Sequence, residues 1–156
     1  MELSAQIQQF ANKTEERLNQ IVRASCLELF SKIVQRTPVD TGRARANWQI
    51  ELDGVSGNST VNFSGEKGRA KDRNKDVDKP RVERNKARAT AVAIENGENA
   101  MARLNTDTKM VCIYNNLDYI IPLEYDGISQ QAPAGMARIS LMEFPKIVAS
   151  LSQTKQ

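Results

Sequence analysis

Glu124 and Asp126, close together in LDYIIPLEYDG, are the carboxylates best placed to work as a pair, and Cys26 and Cys112 are the two thiols. A carboxylate pair performs general acid–base chemistry only when its surroundings drive the two pKa values apart. A thiol becomes a nucleophile only beside a base or a positive charge. The chain contains no histidine, so the commonest general base and metal ligand is missing, and histidine-dependent triads and most catalytic zinc sites go with it. No Walker loop, dinucleotide-binding glycine pattern, EF-hand or paired CxxC occurs, and the acids of this segment lack metal-ligand spacing. The expectation is a chain with no catalytic residue, no metal site and no cofactor, in which Glu124 and Asp126 are structural. Both cysteines read as buried small hydrophobes, and a cytoplasmic origin argues against a disulfide between them.

The other chemistry available is electrostatic. Residues 66–88, EKGRAKDRNKDVDKPRVERNKAR, carry ten basic side chains, namely Lys67, Arg69, Lys71, Arg73, Lys75, Lys79, Arg81, Arg84, Lys86 and Arg88, against five acids. That excess of five exceeds the +3 of all 156 residues, so the remainder is slightly acidic and the charge is polarised. Almost without large apolar residues, the segment cannot bury itself and reads as a charged arm or long hairpin loop. Its basic residues could neutralise DNA phosphates in a lumen or meet an acidic face of a neighbouring protein. The interspersed acids favour the protein partner, and the lack of aromatics argues against stacking on single-stranded bases.

The elements that must position these groups follow from periodicity. From Glu2 to about Arg36 apolar residues recur at helical spacing, thinly at Leu3, Ile7 and Phe10 and more densely at Cys26, Leu29, Phe30, Ile33 and Val34. The first half is therefore expected to project and to need a partner, while the second packs on the core. Pro38 stops the helix, and Asp40-Thr41-Gly42 supplies a tight turn. Trp48, Ile50 and Leu52 alternate with polar residues as a half-buried strand, and Val61–Phe63 reads as its hairpin return. Residues from about Asn85 to Leu104 read as a helix broken at Asn96-Gly97. KMVCIYN reads as a more central strand, LDYIIPLEYDG as a short helical turn or irregular segment, and Leu141, Phe144, Val148 and Leu151 as the stripe of a closing helix kinked or restarted at Pro145.

The expected fold class is α+β: a small antiparallel sheet packed by a long N-terminal helix and a C-terminal helix, with an extended charged loop or arm. Residues 1–156 are expected to form one domain, with 66–88 as its excursion. No apolar stretch approaches the roughly 20 residues needed to span a bilayer, so no membrane contact is expected. MELSAQIQQF lacks the features of a secretory signal, so the chain is expected to be made and kept in the cytoplasm.

TPVDTGRARANWQ, residues 37–49, resembles a motif of phage tail-completion and neck proteins, the head–tail joining family that includes the minor tail protein Z of lambda-like phages. The residues that carry it are Pro38, Asp40, Thr41, Gly42, Arg43 and Trp48. A second resemblance lies in YNNLDYIIPLEYDGISQQAPAGM, at Tyr114, Asn115, Tyr119, Glu124, Gly127, Pro133, Gly135 and Met136; Ile120 stands where the family commonly has alanine. The resemblance implies a noncatalytic virion subunit at the head–tail junction, made in the host cytoplasm and assembled as a homo-oligomeric ring, six-fold as the family implies. It further implies a head connector or stopper protein on one side and a tail terminator or tail-tube protein on the other; the basic segment adds nonspecific contact to DNA in the lumen as a further partner it could serve. In that frame Asp40 and Gly42 shape the turn, Trp48 anchors the sheet to the first helix, and Tyr119 and Glu124 order the later loop. The alternative is a DNA-binding or DNA-gating protein that uses the basic arm.

Overall fold

The computed structural model describes residues 2–55, 57, 59–68 and 79–153. Its order is α1 (Glu2–Arg36), α2 (Arg43–Ala46), β1 (Gln49–Leu52), α3 (Lys79–Met101), β2 (Val111–Tyr114), α4 (Ile120–Tyr125) and α5 (Ala137–Gln153). The fold is α+β and rich in helix. Long helices at either end pack together, and α3 lies against α1, α2 and β1.

The core takes only the second half of α1. Leu29, Phe30, Ile33 and Val34 fall on one helical stripe and meet Trp48 and Ile50 from the strand side, Met101 from α3, and Leu117, Ile120 and Met136 from the later segments. On α3 the buried positions Ala89, Ala93, Gly97 and Ala100 recur every three or four residues, so that face is smooth and its neighbours approach closely. A Cβ on Gly97 would lie 2.7 Å from Cε1 of the fully buried Phe30 ring. Asn96-Gly97 therefore does not break the helix as expected: packing against Phe30 outweighs the local turn signal, and α3 runs unbroken from Lys79 to Met101.

Three further expectations change. β1 pairs antiparallel with β2, with Gln49 opposite Tyr114 and Leu52 opposite Val111, and not with Val61–Phe63. Those residues form an irregular strap, because the Asn47 carboxamide takes the place of a strand partner: its Nδ2 donates to Val61 O (3.2 Å) and its Oδ1 accepts from Val61 N (2.7 Å). Among the described residues the sheet has two strands, so β2 is an edge and not a central strand. The expected arm ends sooner than residue 88, since Lys79–Arg88 form the first turns of α3. Pro80 suits a first helical turn, where its missing N–H has no intrahelical partner to lose, and Arg, Glu, Lys and Ala are good helix formers whatever their charge.

α5 is one helix through Pro145. Its buried residues are Ser140 and Ile147, with Phe144 packed against the core, whereas the expected stripe residue Leu141 is 55% exposed. Arg36 and Lys32 of α1 both pair with Glu143, so that side of α5 faces α1, and Leu141, two residues earlier, lies on the opposite side. Cys26 and Cys112 are free and only partly buried.

Gly97→Ala measures the closeness of α3 to α1. Helix propensity alone favours alanine by about 1 kcal/mol, but overpacking against Phe30 is expected to reverse the sign and give a net loss of about 1–2 kcal/mol. Urea unfolding of both proteins reads this directly; equal or greater stability of the variant would mean that the helices have room to spare.

Candidate functional site

The end of α1 is finished by its own side chains. Thr37 Oγ1 donates to Ile33 O (2.8 Å) and accepts from the Trp48 indole Nε1 (2.7 Å), so the first residue of the turn fixes the residue that leads into β1. Arg45 is only 4% exposed. Its Nε and Nη2 donate to Thr37 O, Nη2 also donates to Gln35 O (2.7 Å), and Nη1 donates to Thr90 Oγ1 on α3 (3.1 Å). Burial lowers its pKa from the ordinary value, with Glu83 acting the other way. The partial negative charge of the α1 C-terminus stands where a carboxylate would otherwise be needed. Its sequence neighbour Arg43, singled out by the motif, is exposed. Arg45 is not singled out by the sequence, because which of the two arginines is buried depends on the face that the short helix α2 turns inward.

Gly42 adopts φ 86°, and a Cβ there would meet Ala89 Cβ at 2.9 Å, so the Asp-Thr-Gly turn lies directly on α3. Beside it Asn85 is fully buried: Nδ2 donates to Asp40 O (2.8 Å) and Glu66 O (2.9 Å), while Oδ1 accepts from Glu66 N (2.9 Å). One carboxamide thus joins the turn, the strap and α3. The basic residues nearby have partners within the chain. Arg81 Nη2 pairs with Asp40 Oδ1 (2.9 Å), Arg84 binds both oxygens of Glu66, and Arg88 lies over the Phe63 ring at 5.7 Å. The hydrogen bonds from Arg84 hold the Glu66 carboxyl below its ordinary pKa. Lys67, Lys79 and Lys86 are exposed on this side, Lys86 within 3.7 Å of Glu83. Arg69, Lys71, Arg73 and Lys75 lie outside the described residues.

The second block of the sequence closes on the first. Asn115 Nδ2 donates to Ala44 O (2.9 Å), and Gln131 exchanges hydrogen bonds with both the N–H and the carbonyl of Val39. The Tyr114 hydroxyl donates to Glu51 (2.9 Å), and burial raises its pKa. Glu124 is 7% exposed and accepts from the backbone N–H of Met136 (2.7 Å), Ala137 (2.9 Å) and Arg138 (2.9 Å), and from Arg138 Nε. It therefore caps α5 from a distant segment. Burial disfavours its charge, but these hydrogen bonds outweigh it and hold the pKa below the ordinary carboxylate value. Gly135, at φ 86°, leaves room for the Glu124 carboxylate, since a Cβ would come within 2.7 Å of Oε1. Gly127 takes φ 60° after α4. Asp126 follows as the residue ending α4, with its N–H bonded to Pro122 O, and has no part in the cap.

Between the blocks runs an open groove of about 350 Å³ whose walls include Pro38, Asp40, Thr41, Gly42, Arg43 and Tyr119. Six of the residues that carry the resemblance thus share one surface, while Trp48, Tyr114, Asn115, Glu124 and Gly127 do not line it. Burial raises the pKa of Tyr119, and Arg43 acts against that. Among the described residues no three His, Cys, Asp or Glu side chains converge as metal ligands. The groove mixes apolar walls with the polar side chains of Asp40, Thr41, Arg43, Ser129 and Gln131. Elsewhere α1 presents apolar surface, since Leu3, Ile7, Phe10, Leu18 and Val22 are all exposed.

Residues 1–97 match the family model described as "Bacteriophage HK97-gp10, putative tail-component". The chain belongs to this HK97-gp10-like family of phage tail components. The matched residues contain α1, the Asp-Thr-Gly turn, β1 and most of α3, so the motif at residues 37–49 falls inside the match and the block at 114–136 lies beyond it. The match supports a tail-related family in general and does not single out the Z-like group. No curated protein and no solved structure matches the chain. No helix among the described residues of this tail component is long and apolar enough to cross a membrane.

The Glu124 cap gives a pH dependence of known sign. A carboxyl whose folded pKa is depressed contributes stability above its unfolded pKa of about 4.3 and loses it as pH falls through the folded value. Glu124→Gln is expected to cost about 1–3 kcal/mol at pH 7, with the difference from the parent narrowing below about pH 4. Thermal or urea unfolding across pH 3–7 checks this. A cost that does not change with pH would remove the charge from the account.

Proposed function

We propose that this tail component is a noncatalytic structural subunit that assembles with copies of itself into a ring at the head–tail junction, completing the tail and joining it to the head. The six-fold order, the head connector or stopper protein on one face and the tail terminator or tail-tube protein on the other are carried over from the resemblance to tail-completion and neck proteins. The observation that carries this reading is the first half of α1. From Leu3 to Leu18 every residue is exposed except the partly exposed Ala11, although the stretch holds four large apolar side chains. A helix of this length gains little from its own hydrogen bonds in water and is expected to be stabilised by a packing partner.

The basic segment fits a protein neighbour better than DNA. Arg81 and Arg84 are engaged by Asp40 and Glu66, so the described part of the segment presents both signs of charge. Contacts of that kind set register between subunits and add little net attraction to phosphate. Light scattering of the purified chain at two salt concentrations, with negative-stain images of the same fractions, tests this. Closed rings of uniform mass at both concentrations are expected. Single subunits whose DNA affinity falls steeply with salt would replace the reading with the DNA-gating one.

A further inference from the structure

Among the described residues, the projecting half of α1 and the groove beside α4 are two surfaces with exposed large apolar side chains. On α1, Leu3, Ile7, Phe10 and Leu18 are 56–74% exposed and lie near one helical stripe. Around the groove, Tyr119 and Ile128 are exposed, with the partly buried Leu123 and the buried Val39 and Ala44 beneath them. α4 exposes Ile121 and Tyr125 beside it.

We propose that the start of α1 of one copy docks in the α4-side groove of the next copy, a head-to-tail contact repeated around the assembly; this rests on the ring reading above.

Reach excludes the same chain as occupant. The groove begins at Pro38, just past the end of α1, and Leu18 lies 18 residues before Arg36 on one unbroken helix, about 27 Å away at 1.5 Å per residue. Phe10 is farther still. A copy cannot fill its own groove.

Charge then selects the kind of partner. Residues 3–12, LSAQIQQFAN, contain no ionisable side chain. This stretch has nothing to attract an anionic lipid surface or phosphate, and burying it strands no charge. The charged side chains that line the groove are Asp40 and Arg43, one of each sign, and Asp40 is also paired with Arg81. An uncharged helix entering a groove with no net charge carries only a small desolvation cost.

Economy of surface decides between two ways of joining copies. Pairing of α1 with α1 about a two-fold axis would cover the stripe and leave Ile128 and its neighbours in water. The head-to-tail contact covers both surfaces with one interface, one donor and one acceptor per chain, and an interface of this heterologous kind closes into a ring when its rotation divides the circle.

Complementation between two broken copies tests the geometry. One variant carries Ile7→Glu and Phe10→Glu on the stripe, the other Ile128→Glu in the groove; all three positions are well exposed. Circular dichroism and the unfolding midpoint are expected to match the parent. Each variant alone should scatter light as the single 17.4 kDa chain. Their equimolar mixture should form a two-chain species and stop there, because only the intact stripe of one and the intact groove of the other can meet. If the parent assembles and the Ile128→Glu variant assembles equally well, the groove is not the acceptor; the docking proposal then fails while the ring reading stands. If both variants are monomers and the mixture stays monomeric, head-to-tail docking is likewise overturned. A parent that remains a monomer at every concentration overturns both.

Discussion

One buried guanidinium holds the architecture together. Arg45 occupies the space into which the last carbonyls of α1 would otherwise point unpaired, and it spans from those carbonyls to Thr90 of α3. A buried arginine is costly unless its donors are used, and here the C-terminal carbonyls of α1 and a hydroxyl use them without any carboxylate. With α1 and α3 fixed by this link, the turn that follows α1 must lie flat on α3. That is why Gly42 has no room for a side chain and why Asn85 can reach both the turn and the strap. Trp48 then enters the core against Thr37, and the position of β1 follows.

The same chain of constraint determines what stays outside. α5 packs along the second half of α1 and is held there by Glu143 at one end, while its Leu151 shares a pocket with Ile21 and Ala24 near the other. Beyond that region no described residue covers the apolar side chains of the first half of α1, which stay exposed. The Glu124 cap fixes the start of α5 from α4, and in doing so holds α4 and the following loop beside the turn. The groove exists because two stretches far apart in sequence are each pinned independently, one by Arg45 and Asn85, the other by Glu124, Asn115 and Gln131. Membership of a phage tail family gives these uncovered surfaces a context in which subunits meet other subunits.

Much of this was legible in the residues, and the failures have physical causes. The long first helix, its stop at Pro38 and the strand after Trp48 all follow from local period and turn chemistry, which depend on near neighbours. The partner of β1 was misread because alternation reports which face is buried and not which strand lies alongside; Asn47, whose carboxamide holds Val61 where a strand would be, reads in sequence as an ordinary polar residue. The start of α3 reads too late in the sequence because its first turns carry charge without apolar period, although Pro80 followed by good helix formers is a usable signal. Asn96-Gly97 reads as a break because Asn-Gly signals a turn locally, and only the ring of Phe30 explains a glycine there. Of the motif residues, Gly42 and Asp40 could be read for their backbone role, whereas the importance of Arg45 over Arg43 depends on which way a four-residue helix faces. The groove could not be read at all, since it requires knowing that residues 37–44 and 119–131 are neighbours.

On the proposed ring reading, the first half of α1 is completed only by assembly. Hydrogen exchange of the dilute single chain and of the assembled form tests it most directly, because it reads protection along one helix at the level of short segments. The account predicts that amides of residues 3–18 exchange rapidly in the single chain and become strongly protected on assembly, while those of residues 25–36 are protected in both. Strong protection of residues 3–18 in the single chain, or none in the assembled form, would contradict it.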